Sequence, residues 1–332
     1  MVPPALSLPH HVSVEARPGD RGHAFGRALA DAVAVTVATY RRLLREAADL
    51  RRAGADVAER LEPRWPELFE ELEGIAAGAR QDVLELAAIN ARTELLAGGC
   101  SVVAHSDGSL AQTWDWHPDL AAAMVTWTIH QSGGRSFTTA TEAGILGKMG
   151  CTSGGLACGL NFLACSEDGG TEGAPIHVLL RLVLERCDRV EDALALLRSA
   201  RTSASACVTL AGRGTAVAVE LSPGGVELVH PDADGWLVHT NHFLAGPVGG
   251  SDTLAEPGTI ARRELLGRLV RDGVPVREAL ATHAPAEEPV CRHADPDAPW
   301  AERRATLLAL TAVGGELCVA SGPPCSNGYA RV

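Results

Sequence analysis

The stretch "ELLAGGCSVVAHSDGSLAQTWDW", residues 94–116, decides the reading of the chain. A helix-like run ends in Gly98 and Gly99, and Cys100 follows at once. Beyond it, two short apolar runs, "CSVVAHS" and "LAQTWDW", flank Asp107-Gly108, the pattern of a β-hairpin. The thiol therefore stands at the mouth of a strand, directly behind a glycine carbonyl. Glycine at 99 has no side chain to shield that carbonyl and permits strained backbone angles that favour an N-to-S acyl shift. Attack by Cys100 on the Gly99 carbonyl, followed by hydrolysis, leaves Cys100 as a new chain terminus. That terminus carries a thiol and a free α-amine. The α-amine titrates at about 7.7–8.0, so it can serve as the base that other enzymes recruit from a histidine. On the short motif alone the alternative stays open: a buried strand cysteine after a glycine turn, acting as a small hydrophobe.

Outward from this junction the pattern divides in two. The first hundred residues read helical. Asp20 is a candidate cap for one long segment running to Gly54, Pro66 opens a second helix with acidic residues in its first turn, and Asp82 is a candidate cap for a third over residues 83–96, before the pattern changes at Gly98. After Cys100, strand-like runs alternate with glycine turns: "MVTWTIHQS", Gly133-Gly134, "RSFTTAT", then "LACGLNFLAC". Two helices follow, "PIHVLLRLVLERC" and "VEDALALLRSA", and then a second strand block from "SACVTLAG" through "WLVHTNHF". "ARRELLGRLVRDG" and "VREALATHA" read as helices, and a last hairpin turns at Gly314-Gly315. Two strand blocks separated by a helix pair predict an α+β design of two sheets with helices outside them.

The totals exclude several functions. The net charge of −12 over 332 residues argues against a nucleic-acid surface and supplies no polybasic membrane patch. No apolar run is long enough to span a bilayer, and "MVPPALSLPHH" lacks the basic and apolar regions of a secretory signal. Nine cysteines without a C-x-x-C, mostly inside apolar runs, point to a reduced, cytoplasmic setting. There is no P-loop, dinucleotide fingerprint, H-E-x-x-H or G-x-S-x-G. The spacing of Cys151, Cys158 and Cys165 reads as core, and His239 and His242 in "HTNH" are poorly placed on a strand to share one ion, so no metal and no cofactor are expected. Lys148, the single lysine, reads as surface or structural.

Several collinear blocks resemble the isopenicillin N acyltransferase family: "GGCSVVAHSDGSLAQTWDWH", "RWPELFEELEGIAAGA", "INARTEL", "TEAGILGKMGCTSGGLACGLNFL", "GAPIHVLLRLVLE", "WLVHTNHFL" and "ERRATLLAL". The resemblance implies the N-terminal nucleophile hydrolase fold, an αββα four-layer sandwich. It implies self-cleavage between Gly99 and Cys100 into a helical N-terminal chain, 1–99, and a catalytic chain, 100–332, that stay associated. It places Cys100 as nucleophile, Asn241 as the oxyanion-stabilising amide and Asp115 as the site aspartate. Arg303, before Ala-Thr-Leu, is expected to pair with Asp115 to hold the pocket and orient the amine. The implied substrate is a small acyl amide or acyl thioester, with an acyl-CoA as a candidate co-substrate. The sequence departs from the family at Gly98, Ser101, Val102, Ala111, Thr113 and Gly159 while keeping Asn161. Two other readings are an unprocessed binding protein of the same fold, and an ordinary cysteine hydrolase with His239 or His242 as base.

Overall fold

A computed structural model describes residues 8–44, 47–91, 99–169, 172–255 and 257–332. Gly98 and the end of the third expected helix, residues 92–96, lie outside the described residues. The N-terminal segment runs through β1 (His10–Ser13), α1 (Pro18–Ala28), α2 (Ala30–Leu43), α3 (Ala47–Arg64), α4 (Pro66–Ala79) and α5 (Val83–Asn90). Pro66 stands in the first turn of α4, and Asp82 caps α5 by accepting from the Leu84 N–H at 2.9 Å, both as expected.

Three expectations for this segment are corrected. It is not wholly helical, because β1 joins a sheet. Asp20 is not a cap: Arg17 takes that position, Pro18 opens the helix, and Asp20 lies within its first turn. Gly54 ends nothing: α3 runs through it, because a Cβ there would lie 1.7 Å from the Leu84 carbonyl oxygen, so the glycine serves the close approach of α3 to α5. The same device joins α1 to α4. A Cβ on Gly22 would lie 2.0 Å from the Glu71 carbonyl oxygen, and one on Gly78 2.3 Å from that of His23.

The remaining strands are β2 (Gly99–His105), β3 (Leu110–Trp116), β4 (Met124–His130), β5 (Ser136–Glu142), β6 (Met149–Thr152), β7 (Ala157–Phe162), β8 (Ala206–Gly212), β9 (Thr215–Ser222), β10 (Gly225–Val229), β11 (Trp236–His239), β12 (Ala305–Val313), β13 (Glu316–Ser321) and β14 (Ala330–Arg331). Between them lie α6 (Ile176–Arg186), α7 (Val190–Ser199), α8 (Pro257–Arg271) and α9 (Val276–Ala279). An eight-stranded sheet has the order β1-β4-β5-β6-β7-β8-β9-β10, and a six-stranded sheet the order β11-β2-β3-β12-β13-β14. The hairpin read from residues 100–116 is β2 and β3, with Cys100 opposite Trp114 and Gly99 opposite Asp115.

The sheets face each other, with α6 and α7 outside the larger and α8 and α9 outside the smaller. This is the four-layer αββα sandwich. Side chains alternate along each strand, so Cys100, Val102 and Ala104 of β2 enter the core between the sheets, while Val103 packs outward under Leu266 and Val270 of α8. Gln112 of β3 spans the two sheets: its amide donates to the Leu160 carbonyl at 2.6 Å and accepts from the Leu160 N–H at 2.9 Å. Gly159 makes room, since a Cβ there would meet Gln112 Oε1 at 2.8 Å.

The N-terminal segment is bound to the rest by packing and by charge. β1 pairs in parallel with β4, and Phe25 of α1 stacks on Trp127 at 4.1 Å. Glu71 of α4 accepts from Arg181 of α6 at 2.6 and 2.9 Å and from Arg21 of α1, all three side chains being buried. Lys148 is not at the surface. It is fully buried, paired with Glu142 and placed 4.2 Å from the centre of the Trp114 ring. Cys151, Cys158 and Cys165 are core residues, as their apolar context indicates. Among the described residues, no helix is long and apolar enough to cross a membrane.

Candidate active site around Cys100

Cys100 is the second residue of β2 and has no exposed surface. Two carboxamides converge on it. Asn241, just past the end of β11, accepts from the Cys100 N–H through Oδ1 at 3.1 Å and donates from Nδ2 to Cys100 Sγ at 3.4 Å and to the Phe162 carbonyl at 3.0 Å. Asn161 of β7 donates from Nδ2 toward Cys100 Sγ at 3.4 Å, the Cys100 carbonyl at 3.2 Å and the His239 carbonyl at 3.3 Å. The orientation of Asn241 is set by Arg262 of α8, whose Nη2 donates to Oδ1 at 2.8 Å. Guanidinium only donates, so the oxygen of the amide must face it and the NH₂ group must face the thiol.

Asn241 reaches this position because the strand ends early. β11 stops at His239, short of the "WLVHTNHF" run, because the next residues bond to α8 and not to a sheet neighbour. Thr240 Oγ1 donates to the Thr259 carbonyl at 3.0 Å, and the Asn241 N–H donates to Thr259 Oγ1 at 2.8 Å.

Asp115 of β3 lies beside the Gly99–Cys100 bond. A Cβ on Gly99 would meet Asp115 Cβ at 3.4 Å and Oδ2 at 3.7 Å, which is ordinary contact, and Gly99 has no left-handed φ. The expected backbone strain at Gly99 is therefore not observed; what its bare Cα provides is proximity to the carboxylate. Asp115 is fully buried and held by three groups. Thr306, opposite it across β12 and β3, donates to Oδ1 at 2.7 Å. Arg292 Nε lies 3.2 Å and Arg262 Nη1 3.9 Å from Oδ2. Arg303 does not pair with Asp115, contrary to expectation. It precedes β12, and its guanidinium turns back to the Ala298 and Pro296 carbonyls at 3.0 and 2.7 Å. Within "ERRATLLAL" it is Thr306, placed by strand register, that reaches the aspartate.

Burial dominates the electrostatics. It pushes the Cys100 thiol up to about 11, against the lowering effects of the Asn241 hydrogen bond and the Arg262 charge. Burial also raises the Asp115 carboxyl, opposed by Arg292, Arg262 and Thr306. Neither histidine of "HTNH" serves the thiol. His239 bonds to the Thr240 carbonyl and to Glu220, each at 2.8 Å; burial works to lower it, but Cys207 and Glu220 outweigh that and hold it at about 10. His242 sits 3.3 Å from Thr240 Oγ1 and 3.2 Å from Thr259 Oγ1, and burial pulls it down to about 4.

The structure therefore brings together Cys100, Asn241, Asp115 and Gly99, leaves Arg303 outside, and adds Asn161, Arg262, Arg292 and Thr306. Asn161 had one sequence signal, a carboxamide inside the apolar strand run "ACGLNF". The two arginines had none, because each lies far along the chain from the hairpin it serves.

Residues 103–282 match the family model described as "Acyl-coenzyme A:6-aminopenicillanic acid acyl-transferase". The 40 kDa form of acyl-coenzyme A:6-aminopenicillanic-acid-acyltransferase from Emericella nidulans is 31% identical over 248 residues, which cover 70% of this chain and 69% of that protein. Among solved structures, the Caenorhabditis elegans ortholog of N-acylethanolamine-hydrolyzing acid amidase aligns with TM-score 0.46 at 15% identity, over 65% of this chain and 93% of that one. Penicillin V acylase from Agrobacterium tumefaciens aligns with TM-score 0.40 at 14% identity, over 67% and 82%. The chain belongs to the acyl-coenzyme A:6-aminopenicillanic acid acyl-transferase family.

Proposed function

We propose that the protein is a self-processing cysteine N-terminal nucleophile enzyme that takes the acyl group of an N-acyl amide or acyl thioester onto Cys100 and passes it to an amine or to water. The observation that carries this reading is the convergence of Asn241 and Asn161 on Cys100, with Asp115 beside the preceding bond. In the intact chain, Sγ attacks the Gly99 carbonyl carbon. The S–C bond forms, the C–N bond breaks, and the thiol proton ends on the departing Cys100 nitrogen. Water then cleaves the thioester, leaving a Gly99 carboxylate and a free thiol. The Asn161 and Asn241 NH₂ groups are uncharged donors beside the sulfur, suited to charge that develops there and on the attacked carbonyl oxygen.

Processing turns a silent thiol into a reactive one. A fully buried thiol held at about 11 is neither accessible nor ionised near neutral pH, so the uncleaved chain is a zymogen. Cleavage supplies an α-amine on the same residue. That amine takes the thiol proton as Sγ attacks the substrate carbonyl and returns it to the leaving amine. The acyl-enzyme then passes to the acceptor. Asn241 Oδ1, already bonded to the Cys100 nitrogen, orients the amine, and Asp115 offsets its charge. The second chain, 1–99, stays bound through β1 and Glu71.

Intact mass spectrometry tests the proposal. Wild-type protein should give two chains, the larger beginning at Cys100, while Cys100→Ala should remain a single chain of 34.6 kDa. A wild-type protein that stays intact, yet hydrolyses an acyl amide as well as any processed preparation, would overturn it.

A further inference from the structure

Away from the Cys100 centre, four metal-ligating side chains meet at the surface: His283, Cys291, His293 and Cys325, whose donor atoms all lie within 4.8 Å of one another. His293 Nε2 is 3.3 Å from His283 Nε2 and 3.1 Å from Cys325 Sγ. Three of the four belong to the segment after α9, and Cys325 comes from the turn after β13. Cys291 is buried and the other three are exposed, so an ion has a path in from solvent.

We propose that His283, Cys291, His293 and Cys325 bind one zinc ion that staples the 283–293 segment to the turn at 325. Zinc takes sulfur at about 2.3 Å and imidazole nitrogen at about 2.0–2.1 Å, so a tetrahedron of two of each has ligand atoms about 3.3–3.8 Å apart. The observed 3.3 Å lies at the lower end of that range, 3.1 Å lies just below it, and no pair of donor atoms is more than 4.8 Å apart, so small side-chain shifts close the cluster around an ion. Two thiolates and two imidazoles select a borderline-soft ion and offer calcium or magnesium no oxygen. Four protein ligands leave no open position, so the ion is structural. On binding, each thiol yields its proton to solvent.

The staple acts on the centre around Cys100 through Arg292, which stands between two of the ligands. The Arg292 N–H donates to Thr306 Oγ1 at 2.9 Å, Thr306 donates to Asp115 Oδ1 at 2.7 Å, and the Arg292 guanidinium lies 3.2 Å from Asp115 Oδ2. Fixing Cys291 and His293 therefore fixes the cation that compensates Asp115. Sequence spacing gave no sign of this, because the fourth ligand lies 32 residues beyond His293.

Elemental analysis of untagged protein, after incubation with equimolar zinc and desalting, should find about one zinc per chain. Cobalt in its place should give the intense visible bands of tetrahedral coordination with a thiolate-to-metal transition. Cys325→Ser, at an exposed position, should lose both signals while keeping the wild-type far-ultraviolet circular dichroism. Wild-type protein that retains no zinc, zinc retained equally by Cys325→Ser, octahedral cobalt bands, or a Cys291–Cys325 disulfide in metal-treated protein would each overturn the proposal.

Discussion

Replacing Asp115 with asparagine tests the assignment of its partners. The change keeps the shape of the side chain and removes one buried negative charge that faces two guanidinium groups. At an effective dielectric of about 20, unit charges at the observed 3.2 and 3.9 Å attract by about 5 and about 4 kcal/mol. Those gross values are opposed by the desolvation of a fully buried carboxylate, which is what raises its pKa. Removing one partner of a buried pair costs about 3–5 kcal/mol, and the low end applies here. Arg262 keeps its bond to Asn241 Oδ1, and Arg292 keeps Glu288 at 2.5 Å. A loss of about 3 kcal/mol, at about 2 °C per kcal/mol for a large domain, lowers Tm by about 6 °C. Differential scanning calorimetry in a Cys100→Ala background measures this on a single uncleaved chain. Arg292→Ala should fall by a similar amount. Arg303→Ala, whose bonds go only to carbonyls of its own loop, should fall by less than about 2 °C. A Tm for Asp115→Asn within about 1 °C of the background, or equal losses for Arg292→Ala and Arg303→Ala, refutes the reasoning.

Self-cleavage of freshly refolded precursor should speed up about tenfold per pH unit between pH 6 and pH 10, because the Cys100 thiol is held at about 11 and its ionised fraction grows tenfold with each unit below that value. Gel quantification of quenched samples reads the rate, and a plateau near pH 7 would instead mark an imidazole base. Glu71→Ala leaves Arg21 and Arg181 buried without their shared carboxylate, at a cost of about 3–5 kcal/mol. After cleavage its two chains should separate on size exclusion under conditions where the wild-type chains co-elute, and unchanged co-elution with an unchanged Tm would show that the network does not hold them.

Legibility in the sequence followed the range of the interaction. The β2–β3 hairpin, the cap at Asp82 and the turns at Gly133-Gly134 depend on neighbours within a few residues, and all were readable. Asp20 and Gly54 were misread because their local signals are ambiguous. A glycine at a helix end and a glycine under a crossing helix look alike until the Leu84 carbonyl is placed 1.7 Å from the missing Cβ. The choice between surface and structure at Lys148 stays open in the sequence for a related reason: burial of a lysine is decided by a carboxylate and an indole that the chain brings to it, Glu142 and Trp114.

The cations of the site show the same limit in its sharpest form. Arg303 sits in a recognisable block and does not reach Asp115, whereas Arg262 and Arg292 have no motif and do. A guanidinium has a long stem, so its position along the chain fixes its tip poorly, while a threonine or an asparagine is short enough for backbone register to place it. Asn241, Asn161, Asp115 and Thr306 are of the second kind, and strand ends or strand pairing deliver each of them. The arginines that orient Asn241 and compensate Asp115 were then fixed by tertiary packing. Arg262 is buried under α8 and aims a donor-only group at Oδ1, which leaves the Asn241 NH₂ facing the thiol. The chemistry at Cys100 thus rests on short residues set by the sheets, and its polarity on long ones set by the helices and loops packed outside them.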